Sequence, residues 1–182
     1  QTNYKIDRKQ YVQIKEIKEL DVWLNKCEEN GIVAVDTETS SLDPNNADLV
    51  GISLCVAPNE ACYIPLLVDG KDFLNTKKVL EKIKPMMEDK SIKKIGQNIK
   101  YDWIIFLRNG IKLNSVEDTM LMSYTLDAGN NRHGMDILSE IHLGHKPLTF
   151  KDVAGIGKKQ VTFDKVPLKI ATEYAAEDAD IT

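Results

Sequence analysis

The stretch Ile32–Asp43, IVAVDTETSSLD, decides how the rest of the chain is read. Its opening apolar run is the pattern of a buried strand, yet it ends in two carboxylates, Asp36 and Glu38. Residues two apart in a strand project to the same side, so both acids share a face with Ile32 and Ala34. Burying charge is costly unless something pairs with it. An acidic pair alone most often marks a strand end meeting solvent. A calcium loop is excluded, because Ser41 stands where its glycine belongs and Ala47 where its closing glutamate belongs.

Working outward, YVQIK (Tyr11–Lys15) alternates as a short edge strand. Ile17, Leu20, Leu24 and Cys27 recur at helical spacing, and Asn30-Gly31 ends that helix. Leu49–Pro58 and Glu60–Leu66 read as a hairpin turning at Pro58-Asn59, which extends Ile32–Asp36 into an antiparallel meander. Helices are expected over Thr76–Asp89, Asn98–Asn109, Thr119–Asp127, Gly134–Leu143 and from Pro167 onward. Pro85 is expected to kink or shorten the first of these. Short strands are expected at Ser91–Gly96 and near Val116, which makes a mixed α/β sheet in one domain. Gly144–Lys165 reads as loop.

Two further motifs change the weight given to Asp36 and Glu38. In GQNIKYDW, Asn98 and Asp102 are four apart and are expected on one helix face; in EYAAEDAD, Tyr174 and Asp178 repeat the spacing. Glu177 and Asp180 point elsewhere on that last helix.

Together with DTETSSLD, KIGQNIKYD, DTMLMSY, RHGMDILSE and YAAEDADIT, this order resembles the 3′–5′ exonuclease superfamily with four invariant acids and a tyrosine-type third motif. It is similar to the proofreading exonuclease domain of bacterial, family A DNA polymerase I, and the likeness runs from Tyr11 onward. The resemblance implies a ribonuclease H-like fold, a five-stranded mixed sheet whose first three strands are antiparallel, with helices on both faces. It implies two divalent ions, Mg2+ or Mn2+, about 3.5–4 Å apart. Asp36 would bridge both, Glu38 and Asp178 would complete the tighter site, and Asp102 would hold the second. Tyr174 would position the attacking water with Glu38. Leu42, Gln97, Asn98, Tyr101, Arg132 and Phe163 are the implied contacts to a single-stranded DNA 3′ end, with Phe150 a second aromatic. The implied product is a nucleoside 5′-monophosphate, and the implied partner a covalently linked polymerase domain.

Hard oxygen donors without His or Cys suit Mg2+ or Mn2+ rather than structural zinc. The 182 residues, 42% hydrophobic and 29% charged, are enough for a single domain with its own core, and a first residue other than Met suggests one excised from a longer polypeptide. Net charge −4 gives no sign of nucleic acid, although it averages over a surface on which Lys158, Lys159, Lys165 and Lys169 give the late segment a basic bias. Cys27, Cys55 and Cys62 are too few and scattered for a disulfide framework or zinc knuckle, so a reducing cytoplasm is expected. No membrane span is expected. Gly155-x-Gly157 lacks the rest of a phosphate-loop fingerprint, and His142 with His145 lacks further ligands. Two other readings stay open: a silent module that binds single strands or braces a polymerase, and a stand-alone RNA-trimming or repair exonuclease.

Overall fold

The apolar run after Gly31 becomes an interior strand of the sheet. The computed structural model describes residues 5–182. Its sheet strands are β1 (Val12–Gln13), β2 (Ile32–Thr39), β3 (Leu49–Ala57), β4 (Glu60–Pro65), β7 (Lys93–Gly96) and β8 (Val116–Asp118); β5 (Leu67–Val68) and β6 (Lys71–Asp72) form a separate hairpin. The helices are α1 (Ile17–Asn30), α2 (Thr76–Glu88), α3 (Lys100–Arg108), α4 (Thr119–Asp127), α5 (Met135–Leu143), α6 (Phe150–Ala154) and α7 (Leu168–Ile181).

The sheet order is β1-β4-β3-β2-β7-β8. β2, β3 and β4 form the antiparallel meander, while β7 runs parallel to β2 and β8 parallel to β7. The sheet has six strands rather than five, because β1 adds a two-residue parallel edge beside β4.

Alternation along β2 separates two cores. Val33 and Val35 are buried on one face with Leu20, Trp23, Ile83, Met87, Ile105 and Phe106 from α1, α2 and α3. The opposite face carries Ala34 and Asp36 and lies under α7. There α7 presents Ala171, Ala175, Ala176 and Ala179, all buried. Small side chains let the helix backbone approach the sheet closely, which brings its acids within reach of β2.

Local signals explain most boundaries. Glu16 and Glu19 form a reciprocal capping box at the start of α1, and Gly31 ends it in the left-handed region at φ 68°. α2 runs through Pro85 to Glu88, with Met86 and Met87 buried just beyond the proline. The gain from packing those side chains offsets the missing backbone hydrogen bond near the helix end. Within the expected loop Gly144–Lys165, Thr149 and Asp152 cap the short α6.

Gly51 sits opposite Glu38 across the β2/β3 pair. A Cβ built there would fall 2.3 Å from the Tyr63 ring. Gly51→Ala is therefore expected to destabilise by about 1–3 kcal/mol through overpacking, read as a lowered melting temperature. An unchanged melt would show that the ring has room to move.

Candidate active site

β2 and α7 supply three of the four expected acids. Oxygens of Asp36, Glu38 and Asp178 lie within 4.8 Å of one another. Asp36 and Glu38 share a face because they are two apart on β2, and Asp178 descends onto it from α7, one turn beyond Tyr174. Asp102 comes from α3 on the far side of β2 and stands outside that trio. Its Oδ1 accepts the Thr37 amide at 3.0 Å and the Thr37 hydroxyl at 2.5 Å.

The site is short of positive charge. None of the ion pairs among the described residues includes any of the four acids. Burial raises the proton affinity of Asp36 and Glu38 well above the carboxylate range, and the neighbouring acids raise it further. Burial pushes Asp178 up to about 8, with Glu177 adding to the shift. It also pushes Asp102 up to about 7, against the lowering pull of its bonds to Thr37. Glu38 Oε1 is buried without a hydrogen-bond partner, as is Ser53 Oγ, which sits on β3 directly opposite Asp36. Crowded oxygen donors with an orphaned buried atom and no cationic side chain fit a divalent metal ion.

This arrangement has a measurable cost without metal. Folded-state values of about 7 and 8 lie above the ordinary 3.8, so the native protein holds protons that the unfolded chain releases. The associated stability is full below about pH 4 and is lost as pH rises through about 7–8. In chelator, the melting temperature should fall between pH 5 and pH 8, and Mg2+ should restore it at pH 8. A flat profile in chelator would contradict the burial.

Tyr174 faces Asp178 closely enough to hydrogen-bond it, and burial holds its hydroxyl protonated far above neutral pH. Asn98 departs from the expectation that it shares a helix face with Asp102. It precedes α3, with Ile99 at the cap, and adopts the left-handed region at φ 58°. The cause is Asp118, the aspartate that opens DTMLMSY. Its carboxylate accepts the amides of Asn98 (3.0 Å), Ile99 (3.1 Å) and Met120 (2.9 Å), fixing the turn between β7 and α3 while capping α4. Aspartate two residues past Val116, at a strand-to-helix junction, was the available signal. The role of Thr37 has no local signal, because its partner Asp102 lies 65 residues away in the chain.

The other expected contacts divide. Leu42 is 96% exposed beyond the end of β2. Tyr101 secures that loop, its hydroxyl meeting Thr39 Oγ1 at 2.6 Å and the Ser41 carbonyl at 2.5 Å. Gln97 is engaged internally, accepting from Thr119 and donating to the carbonyl of His133, next to the exposed Arg132. Asn98 Oδ1 is buried without a partner. Phe163 does not offer the free face expected of a stacking aromatic. It is 1% exposed, with its ring 6.1 Å from Tyr63, 6.4 Å from Phe150 and 5.7 Å from Tyr174, so the apolar interior has claimed it. Phe150 is the partly exposed member of that cluster.

Glu177 and Asp180 act away from the acid trio. Glu177, fully buried, binds Arg8, His145 and the Leu148 amide, and Asp180 accepts from the Tyr11 hydroxyl and the Asn59 amide.

Comparison with known proteins gives the family. A family model for the 3′–5′ exonuclease of A-type DNA polymerases matches residues 11–182. DNA polymerase I of Rhizobium leguminosarum is 45% identical over 97% of the chain and 19% of that protein. DNA polymerase I of Pseudomonas aeruginosa is 46% identical over 89% of the chain and 18% of that protein. The chain thus spans about a fifth of the length of these relatives. Among solved structures, Escherichia coli RNase D has the same fold at TM-score 0.66, with 19% identity, covering 94% of this chain and 42% of that one. Brucella melitensis NrnC with bound Mg2+ superposes at TM-score 0.64, with 21% identity, covering 93% of this chain and 74% of that one. With its acids on β2, α3 and α7 and its length matched almost throughout, the chain belongs to the 3′–5′ exonuclease family of DNA polymerase I.

Proposed function

We propose that the domain removes single nucleotides from a single-stranded DNA 3′ end, releasing nucleoside 5′-monophosphates and proofreading for a polymerase on the same polypeptide in the bacterial cytoplasm. The observation that carries this reading is the Asp36–Glu38–Asp178 trio with its orphaned Glu38 oxygen. In this reading Asp36, Glu38, Asp178 and Asp102 would hold two divalent ions, Mg2+ or Mn2+, with Asp36 as the shared ligand, Glu38 and Asp178 serving the tighter site and Asp102 the other. When bound, such ions supply water activation and stabilise charge on the leaving 3′ oxygen.

The protein's own groups do the rest. Burial and the neighbouring carboxylates favour the neutral phenol of Tyr174, which suits it to orienting the attacking water as a hydrogen-bonding group rather than removing its proton. Glu38, beside it, has the acceptor oxygen for that proton or for the water itself. Leu42 meets the terminal base from the loop that Tyr101 fixes, and Gln97 holds the segment bearing Arg132. Base stacking tolerates any sequence, as an editing site requires. Phe150 is the aromatic surface available for it, backed by the buried Phe163.

The test is a 5′-labelled single strand incubated with the purified domain and Mg2+ or Mn2+. A ladder shortening one nucleotide at a time, abolished by chelator, is expected. No shortening in either metal would overturn the reading. Faster trimming of an RNA strand of the same sequence would transfer it to an RNA-processing role.

A further inference from the structure

Asp102 differs from the other acids in how the protein holds it. Asp36, Glu38 and Asp178 converge on one point, whereas Asp102 lies outside that group. Both donors of Thr37, the backbone amide and the hydroxyl, fall on one oxygen of Asp102, Oδ1. Thr37 sits between Asp36 and Glu38 on β2, and the strand's alternation sends its side chain to the α3 face of the sheet. The start of α3 is fixed separately by Asp118.

We propose that Thr37 is a positioning residue that clamps Oδ1 of Asp102, so that this acid stands off from the trio and has Oδ2 to offer to a second, weaker cation. The proposal rests on the two-ion reading above. It assigns the asymmetry between the sites to one hydroxyl and one amide on the strand that carries the shared ligand. Hydrogen-bonded partners of metal-binding carboxylates set their orientation, and losing one costs about 10–100-fold in metal affinity or activity. Valine at position 37 preserves shape and β propensity while deleting the hydroxyl, and serine keeps the hydroxyl.

The experiment titrates the whole 182-residue chain with Mn2+ alone, counting bound ions by the paramagnetic resonance signal of the free ion, without substrate. Wild type should take up a tighter and a weaker ion. Thr37→Val should keep the tighter one at unchanged affinity and bind the weaker one about tenfold or more less well. It should also need correspondingly more Mn2+ for half-maximal cleavage, and Thr37→Ser should behave as wild type. Wild-type affinity for both ions in Thr37→Val would overturn the proposal. So would equal loss of both ions in the valine and serine variants, the mark of a merely structural residue. A wild type that binds one ion only would overturn the two-ion reading itself, and the clamp with it.

Discussion

Asp36→Ala lowers the rate of nucleotide release by roughly 10³-fold or more, equivalent to about 4 kcal/mol of barrier. The expectation follows from position. Asp36 stands in the acid trio on β2, and in the proposed arrangement it is the ligand shared by both ions, so its loss disables both. The same change should leave the fold intact and raise the melting temperature in chelator at pH 8. Its carboxylate is buried without a cationic partner and feels the negative charge of Asp102 and Asp178, so alanine removes a desolvation penalty and repulsion. Activity loss with a lower metal-free melting temperature would mean that Asp36 holds the sheet together instead.

Glu177→Ala has the opposite signature, a large loss of stability. Glu177 is fully buried, and its oxygens accept from Arg8 Nε at 2.8 Å and Nη2 at 2.6 Å, from His145 Nε2 at 2.7 Å and from the Leu148 amide at 2.8 Å. These bonds tie the segment before β1 and the stretch after α5 to α7. Removing the carboxylate strands all its donors at once. Breaking such a buried pair costs about 3 kcal/mol, which for a chain of this size lowers the melting temperature by about 6–12 °C. A calorimetric melt checks it, and a drop under about 2 °C would show that water or another acceptor takes over. Cleavage at 25 °C per folded molecule should survive, in contrast to Asp36→Ala.

Glu177 and Asp178 are adjacent in sequence and acidic, yet one anchors the fold and the other joins Asp36 and Glu38. Helical spacing already separated them, because neighbouring residues on a helix point about 100° apart. It left open what each would meet. Asn98 shows the opposite limit. Spacing of four suggested a shared helix face with Asp102, and the left-handed turn imposed by Asp118 cancelled it. That carboxylate comes from a strand twenty residues later, beyond the reach of local periodicity. Phe163 is a third case. The family resemblance implied a stacking aromatic there, and contacts with Tyr63, Phe150 and Tyr174 bury it.

The sequence by itself determined the meander, the helices that follow it, the pairing of Asp36 with Glu38 and the helical turn from Tyr174 to Asp178, because two-residue and four-residue periods are local properties of the backbone. Tertiary structure alone decided that Asp178 closes on β2 while Asp102 hydrogen-bonds Thr37, and that Phe163 belongs to the core. Those outcomes depend on how closely an alanine-lined helix can approach a sheet and on which distant donors reach a buried carboxylate. Both are set by packing between segments far apart in the chain, and no local pattern encodes them.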